Sequence, residues 1–241
     1  MIEKTRAIVL HQIKYTDSGI IAQLYTRKFG RQSLLIKGMR NKKSGRHNVL
    51  FQPMSILDLV IYYKESREMQ IIKEFTVSYS PADIYLNIKK SCVAIFIGEV
   101  LISVLREESP NESLFDFIEK SVVYFDRCKE GFANFHIAFL AGLSSYLGFE
   151  PGTQTNRNDI FFDMLNGVFV PAIPLHGNYA GAEISDILAA FFSSSYEKIS
   201  NIILTGSLRN EVLEVIIKYY SIHLPGLRKI KSLEVLKEVF S

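Results

Sequence analysis

Apolar residues in the first part of the chain recur at every second position, which is the period of a β-strand with one buried face. The segments that show this alternation, or that are rich in β-branched and aromatic residues, are 8–10, 20–27, 54–64 and 69–79. Turn-forming residues separate the early segments at 16–19 and 28–30. The pattern predicts about five short antiparallel strands with one long connection.

Five such strands fit a small closed barrel of the oligonucleotide-binding kind, in which closure leaves no sheet edge unpaired. An SH3-like barrel is the alternative that the same pattern allows. We therefore expect an N-terminal barrel at residues 1–80.

The periodicity becomes helical after residue 80. Ser80-Pro81-Ala82-Asp83 has the residues of a helix start, with a capping serine, a proline at the first helical position and an early acid. Apolar residues then recur at helical spacing as far as Leu105, and Ser109-Pro110 ends this long helix. Further helices are predicted at 114–128, 134–147, 185–192, 207–223 and 232–240.

Residues 149–181 interrupt the helical pattern. Within them Asn166-Gly167 separates two apolar segments and predicts a β-hairpin, because both residues favour positive φ. The predicted fold class is therefore α+β with two domains. Residues 1–80 form an oligonucleotide-binding barrel, and residues 81–241 form a mainly helical domain with a hairpin insertion at about 149–181.

Charge is divided unevenly between these two parts. Residues 1–80 hold 14 Lys or Arg against 6 Asp or Glu, a balance of +8. Residues 81–241 hold 14 against 19, a balance of −5, so the overall net charge of +3 hides the division. Such an asymmetry suggests that the first part meets a polyanion.

The basic residues of the first part concentrate in a loop at 38–47, GMRNKKSGRH, which contains no acid. If Ile20, Ala22 and Leu24 face the barrel interior, Tyr25 faces outward among cations. There it could stack on a base while Lys and Arg follow the phosphates, although a cross-strand packing role is the alternative for it. The predicted DNA-binding residues are Tyr25, Arg27, Lys28, Arg31, Lys37, Arg40, Lys42, Lys43 and Arg46.

Composition argues against a membrane or disulfide-stabilised protein. Hydrophobic residues make up 48% and charged residues 22%, and no apolar run approaches the ~20 residues of a membrane span. The N-terminus carries no secretory signal, so we expect a cytoplasmic location. Cys92 and Cys128 fall in helical patterns, which favours buried thiols over a disulfide.

No catalytic motif is found. His136, His176 and His223 have no cysteine or acid at metal-ligand spacing, and the sequence has neither a Gly-Lys-Ser/Thr phosphate loop nor a nucleophile elbow. We expect no enzymatic activity, no cofactor and no bound metal.

Several short motifs follow one another in a characteristic order. They are Ala7-Ile8-Val9-Leu10, Leu24-Tyr25-Thr26, Ile36-Lys37-Gly38-Met39-Arg40, Gly98-Glu99-Val100-Leu101, Gly148-Phe149-Glu150-Pro151 and Lys231-Ser232-Leu233-Glu234-Val235-Leu236. Their joint order, over nearly the whole chain, resembles that of the RecO family of recombination mediators and DNA repair proteins.

This resemblance implies a DNA-binding mediator that acts in recombination after DNA damage. Such a protein anneals complementary strands and helps to load the recombinase onto single-stranded DNA coated by single-strand-binding protein. The implied partners are single- and double-stranded DNA, the tail of single-strand-binding protein, RecR and, indirectly, the recombinase, with no membrane. An RNA-binding or ribosome-associated accessory protein is the alternative that the barrel and charge allow.

Many members of the family carry paired cysteines for a zinc module after the Gly-Phe-x-Pro segment, whereas residues 153–158 contain none here. We therefore expect no zinc, with Phe161, Phe162 and Phe169 supplying burial instead.

An acidic and apolar tail needs an apolar pocket for its side chains and a cation for its carboxylate. The predicted partner-binding residues are Leu224, Leu227, Arg228, Lys229 and Lys231.

Overall fold

The computed structural model describes residues 1–16, 19–36, 50–105, 109–154 and 160–241. The chain forms two compact units. The first consists of Met1–Arg127 and Ile230–Leu236, and the second of Cys128–Lys229 and Lys237–Ser241. Within the described ranges, no helix combines the length and the apolar character needed to cross a membrane.

Five strands form a closed barrel in the first unit. They are β1 (Ile2–Thr16), β2 (Gly19–Thr26), β3 (Gly30–Ile36), β4 (Ile56–Tyr62) and β5 (Met69–Tyr79). Their order is β1-β2-β3-β5-β4, and β4 closes the barrel by pairing with the first half of β1. This confirms the predicted oligonucleotide-binding barrel.

One junction of the barrel is parallel, whereas the sequence predicted antiparallel pairs throughout. β3 and β5 pair in parallel over three positions, from Ser33↔Met69 to Leu35↔Ile71, against seven antiparallel positions between β2 and β3. β5 therefore runs beside β3 in the same direction.

The barrel interior is filled by alternate residues of the strands. Its buried members are Ala7, Val9, Ile20, Ala22, Leu24, Leu34, Ile36, Phe51, Leu57, Leu59 and Ile61. Burying each of the larger side chains stabilises the fold by roughly 1.5–3 kcal/mol. The predicted inward face of β2 is therefore confirmed.

Three helices complete most of the first unit: α1 (Ala82–Leu86), α2 (Ile88–Val104) and α3 (Glu112–Arg127). The sequence predicted one long helix in place of α1 and α2, which is wrong. Asn87 has extended backbone angles, φ −103° and ψ 114°, and its side-chain oxygen accepts hydrogen bonds from the amides of Lys89 and Lys90 at 3.0 and 3.3 Å. Asn87 therefore caps a new helix, because its side chain competes with the helical hydrogen bond.

Helix α2 approaches β1 closely at Gly98. A Cβ atom at this position would lie 2.4 Å from the carbonyl oxygen of Leu10. Only a residue without a side chain permits this approach.

A buried lysine joins α1, α2 and α3. Lys90 is fully buried, and its Nζ donates to Asp83 Oδ2 at 2.6 Å and to the carbonyl oxygens of Phe125 and Asp126 at 2.8 and 3.1 Å. The two carbonyls belong to the C-terminal turn of α3, where a cation is favoured. Asp126 in turn accepts a hydrogen bond from the hydroxyl of Tyr79 on β5 at 2.6 Å.

The second unit is mainly helical. It contains α4 (Phe135–Tyr146), α5 (Ala182–Ser193), α6 (Gly206–His223) and the 3-10 helices Phe132–Asn134 and Tyr196–Asn201. Helix α7 (Ser232–Val239) belongs in part to each unit. Helix α4 is apolar on most sides and largely buried, and Tyr220 of α6 donates to the carbonyl of Leu140 at 2.6 Å. Gly148, at φ 84°, stands at the predicted end of α4.

A three-stranded sheet occupies the predicted insertion, with β6 (Phe161–Asp163), β7 (Val168–Val170) and β8 (Tyr179–Ala180) in the order β7-β6-β8. The predicted hairpin is confirmed, but its turn is different. Only Gly167 has positive φ, and four residues rather than two connect the strands. The carboxylate of Asp163 accepts hydrogen bonds from the amides of Leu165 and Asn166 at 2.9 and 3.1 Å and holds the longer turn.

The predicted α+β class is confirmed by the barrel, the helices and the small sheet. The domain division after residue 80 stays a prediction. β5 ends at Tyr79, whereas the first compact unit continues through α3 to Arg127.

Candidate nucleic-acid interface

Tyr25 points out of the barrel, as predicted, but it is not exposed. Only 2% of its surface is accessible, and its ring stacks on Phe115 of α3 with centroids 6.1 Å apart. Burial raises the pKa of Tyr25 to about 12, and its hydroxyl donates to the carbonyl of Asn111 at 3.4 Å. The expectation of an exposed ring among cations is therefore wrong, because alternation along β2 does not reveal that a later helix covers this face.

Arg27 lies beside Tyr25 and pairs with acids of the same helix. Its guanidinium forms an ion pair with Asp116, lies 3.8 Å from Glu119 Oε2, and sits 5.0 Å from the centroid of the Phe115 ring. Its side chain remains 36% exposed. Arg27 is thus a half-buried cation whose charge is balanced within the first unit.

Arg6 on β1 joins the same cluster, and sequence reasoning missed it. Arg6 Nε donates to Asp58 Oδ1 at 2.9 Å, and its Nη1 donates to Glu119 Oε1 at 3.1 Å. The hydrogen bond that Arg6 donates to Asp58 and the charges of the nearby carboxylates raise the pKa of Arg6, although burial opposes this shift. The amide of Arg27 also donates to the carbonyl of Arg6 at 2.9 Å, so the two arginines occupy neighbouring chain segments.

The other two predicted cations of the described barrel also have protein partners. Lys28 forms an ion pair with Glu3. Arg31 donates from Nη1 to the carbonyl oxygen of Ile102 at 2.8 Å, at the C-terminal end of α2. These contacts give both residues a structural role in the first unit. Their role in binding DNA stays a prediction.

A cleft of about 690 Å³ is lined by residues of β1, β4 and β5 together with Arg27, Lys28 and Glu112. Four of its lining residues are cations, namely Lys4, Arg6, Arg27 and Lys28. Its acidic lining residues are Asp58, Glu74 and Glu112, and its apolar part includes Leu59 and Phe75. Lys4 and Arg6 occupy every second position of β1, on the side opposite to buried Ala7. This alternation is the sequence signal that could have revealed them.

The predicted cationic loop leaves the barrel at a different place. β3 ends at Ile36, which pairs with Ile20, and Ile20 in turn pairs with Lys14 of β1. Next to Lys14 lies Tyr15, which is 55% exposed. This end of the barrel therefore presents an exposed aromatic side chain on β1, which β2 separates from the strand that Lys37 follows.

Tyr15 is an aromatic candidate that sequence reasoning missed, although its position between Lys14 and a turn could have indicated exposure. Five predicted DNA-binding residues lie outside the described residues, namely Lys37, Arg40, Lys42, Lys43 and Arg46. The structure brings Tyr25 and Arg27 together with Arg6, and their role in DNA binding stays a prediction.

The predicted partner-binding residues divide between the two units. Leu224 and Leu227 are half-buried around the turn after α6, where the amide of Leu227 donates to the carbonyl of Leu224 at 3.0 Å. Arg228 and Lys229 are exposed and belong to the second unit, whereas Lys231 belongs to the first.

The backbone of Lys231 is held by Glu99 on α2. Glu99 accepts hydrogen bonds from the amides of Lys231 and Ser232, both at 2.8 Å, and from the Ser232 hydroxyl at 2.6 Å. Burial opposes the charged form of Glu99, but these hydrogen bonds lower its pKa overall. The side chain of Lys231 is exposed, its charge also contributes to the lowered pKa of Glu99, and its role in partner binding stays a prediction.

The three histidines of the second unit have structural contacts. His136 is buried in α4, and burial together with the charge of Arg209 lowers its pKa to about 3, so it is neutral near pH 7. His223 Nε2 lies 2.9 Å from the carbonyl oxygen of Met164. His176 Nε2 lies 3.2 Å from Asp163 Oδ2, an acidic partner that sequence spacing did not reveal.

Metal-ligating side chains do not cluster in the described parts of the chain, where no group of three His, Cys, Asp or Glu could hold an ion. Phe162 and Phe169 are buried in the small sheet with ring centroids 5.0 Å apart, and Phe161 packs on Tyr179. Cys92 and Cys128 are thiols that are only half-buried.

Comparison with known proteins gives a consistent result along the whole chain. Residues 1–81 match the family described as Recombination protein O N terminal, and residues 85–234 match Recombination protein O C terminal. The chain is 38% identical over 241 residues to the DNA repair protein RecO of Phocaeicola vulgatus, with all of both chains covered. It is 37% identical to RecO of Bacteroides fragilis, again with all of both chains covered, and 33% identical to RecO of Flavobacterium psychrophilum over 99% of each. With its barrel and helical part each matched, the chain belongs to the RecO family of DNA repair proteins.

Proposed function

We propose that the chain binds single-stranded DNA without sequence preference through its barrel and the basic loop that the sequence predicts at 38–47. The observation that carries this proposal is the closed barrel whose third strand is followed in the sequence by five Lys or Arg, counted from Lys37 to Arg46. The exposed Tyr15 lies at the same end of the barrel and supplies an aromatic face for a base. Cations that follow phosphates and an aromatic that stacks on bases are the usual elements of such binding.

A binding titration over a salt series tests this proposal. Changing Arg40, Lys42, Lys43 and Arg46 together to Gln should weaken binding to single-stranded DNA by several orders of magnitude at low salt. The plot of log affinity against log salt should flatten by roughly 0.7 per lost phosphate contact. A matched control replaces four cations of the second unit, Lys198, Lys218, Arg228 and Lys229, and should leave the slope almost unchanged. Equal losses in the two variants would contradict the assignment of the loop.

The same titration separates DNA from RNA. Competition between DNA and RNA strands of equal length and sequence detects contacts to the 2′-hydroxyl, which distinguish the two sugars. We expect DNA to compete at least as well as RNA. A strong preference for RNA would favour an RNA-binding or ribosome-associated accessory role.

We also propose the finer role of a recombination mediator that anneals complementary strands and helps to load the recombinase onto coated single strands. Membership of the DNA repair family supports this role, as does a barrel with a charge balance of +8 in residues 1–80. The proposed protein partners are RecR and the tail of single-strand-binding protein. Strand annealing measured in the presence of the coating protein tests the role. An annealing rate no higher than the rate without this chain would contradict it.

We further propose that the protein works without catalytic turnover, in the cytoplasm. The histidines of the second unit support this, since His136 is buried and neutral, and His176 and His223 contact Asp163 and the Met164 carbonyl. Binding of DNA requires charge and stacking rather than a nucleophile or a proton shuttle.

A further inference from the structure

The face of the barrel that the sequence predicts to bind DNA is already covered by one helix. Tyr25 stacks on Phe115, Arg27 pairs with Asp116, and Arg6 pairs with Glu119. All three covering residues lie on α3 within five positions. The barrel therefore meets, from its own chain, an aromatic ring and two carboxylates in place of a base and two phosphates.

The spacing of the two carboxylates allows them to take the place of two phosphates. Asp116 and Glu119 are three residues apart in α3, so they lie on the same side of the helix about 5–6 Å apart at Cβ. Glu119 bridges the arginines, because its two oxygens lie 3.1 Å from Arg6 Nη1 and 3.8 Å from Arg27 Nη2. One short acidic segment thus neutralises two cations from adjacent parts of the barrel.

We propose that the acidic side of α3 is an internal competitor for the phosphates of single-stranded nucleic acid at Arg6 and Arg27. This inference rests on the proposed DNA-binding function and adds a restraint on it. In the free protein Arg27 is held by Asp116 and Glu119, whereas Arg6 is held by Glu119 and by Asp58 of β4, which is not part of the competitor. A strand entering the cleft beside Lys4 and Lys28 replaces those carboxylates by its own phosphates.

The competition takes place between side chains, and the helix body stays in place. Phe115 and Ile118 are completely buried and Leu114 nearly so, so undocking α3 would expose a large apolar surface. By contrast, Arg6 and Arg27 are 40% and 36% exposed, and Asp116 is 41% exposed. Partly solvated ion pairs of this kind exchange partners at little cost. Tyr25 stays stacked on Phe115, Arg6 keeps its ion pair with Asp58, and only the contacts between the arginines and α3 are released.

The variant D116N/E119Q tests the proposal by removing the two charges and keeping the side-chain shapes. Its affinity for a labelled oligothymidine strand should rise about 5- to 30-fold at low salt, because removing each surface ion pair raises the affinity by a small factor. The salt slope should steepen by roughly 0.7 for each arginine that gains a phosphate. The control E211Q/E238Q makes the same change in net charge on exposed positions of the second unit and should alter affinity less than about 2-fold. Thermal unfolding of each variant establishes that it is folded.

A second pair of variants assigns the gain to the arginines. In R6Q/R27Q the cations are absent, and adding D116N/E119Q to that background should produce no gain. A gain that survives the loss of both arginines would be a general field effect and would overturn the proposal, as would unchanged affinity in D116N/E119Q. The single variant E119Q, which perturbs the fold least, should give a smaller increase in the same direction, and its absence would also count against the competitor.

The wild-type titration separates this inference from the proposed function. If the wild type binds the strand and D116N/E119Q binds it with the same affinity, only the proposal of an internal competitor is contradicted. Failure of the wild type and every variant to bind the strand contradicts both.

Discussion

Asp163 should be the residue that stabilises the small sheet of the second unit. Its Oδ1 accepts hydrogen bonds from the amides of Leu165 and Asn166 at 2.9 and 3.1 Å. Its Oδ2 accepts from Asn166 Nδ2 at 2.8 Å and lies 3.2 Å from His176 Nε2. The buried carboxylate of Asp163 therefore joins the hairpin turn to the segment before β8, as a bound metal ion would.

The expected cost of Asp163→Asn follows from these contacts. The substitution replaces one oxygen by an NH₂ group that faces donors, so two hydrogen bonds to a charged acceptor are lost. Each is worth about 1.5–3 kcal/mol, and partial rearrangement recovers some of the loss, so we expect about 3 kcal/mol. For a protein of this size that corresponds to a melting temperature lower by roughly 6–12 °C.

The effect should depend on pH in a defined direction. Burial raises the pKa of Asp163, but the hydrogen bonds from Asn166, His176 and Leu165 outweigh it and hold the pKa below its ordinary value of 3.8. The carboxylate therefore contributes its full stability above that ordinary value and loses it as pH falls through the lower folded value. The difference between wild type and variant should be constant near pH 7 and shrink below about pH 4.

Thermal unfolding followed by circular dichroism measures this difference. Asp186→Asn is the matched control, because it makes the same chemical change on an exposed residue of α5 in the same unit. It should change stability by less than about 0.5 kcal/mol. If Asp163→Asn melts within 1 °C of Asp186→Asn at pH 7, the carboxylate does not hold the sheet and the reasoning is refuted.

Three further predictions concern metal, the first unit and the partner site. Elemental analysis of the purified protein should find no stoichiometric zinc, and a chelator should leave the melting temperature unchanged; zinc lost together with folding would contradict this. Lys90→Met should cost about 3 kcal/mol, because it leaves Asp83 and two helix carbonyls without their buried cation, whereas Lys89→Met on the exposed neighbouring position should cost little. Replacing Arg228, Lys229 and Lys231 by Glu should abolish binding of an acidic, apolar tail peptide in a fluorescence assay. Affinity for naked single-stranded DNA should stay nearly intact. Tight peptide binding by this variant would place the pocket elsewhere.

The barrel could be predicted from sequence because β3 and much of β2 alternate between buried and more exposed residues. Ile20, Ala22 and Leu24 are buried as that alternation requires. The helical break at Asn87 could not be read from apolar spacing, because a single side chain that accepts two backbone amides decides it. The turn at Asn166-Gly167 differs for a similar reason, since Asp163 supplies hydrogen bonds that favour a four-residue connection.

The candidate interface was less predictable than the fold. Alternation indicates that Tyr25 leaves the barrel interior, but only the tertiary structure reveals that Phe115, ninety residues later, covers it. Arg27 looked like an unopposed cation because Asp116 and Glu119 are remote in sequence. Local patterns report which side of a strand a residue occupies, and they carry no information about what packs on that side.

The parallel junction between β3 and β5 makes the barrel unequal in strength around its circumference. Three pairs close this seam, whereas seven hold β2 to β3, and parallel pairing is slightly weaker for each residue. Transient opening of the barrel should therefore begin between β3 and β5, and the amides of this seam should exchange with solvent sooner than those of the other seams. β3 also precedes the predicted basic loop in the sequence, so we expect the weakest seam of the barrel to lie along the strand that leads to the proposed DNA-binding residues.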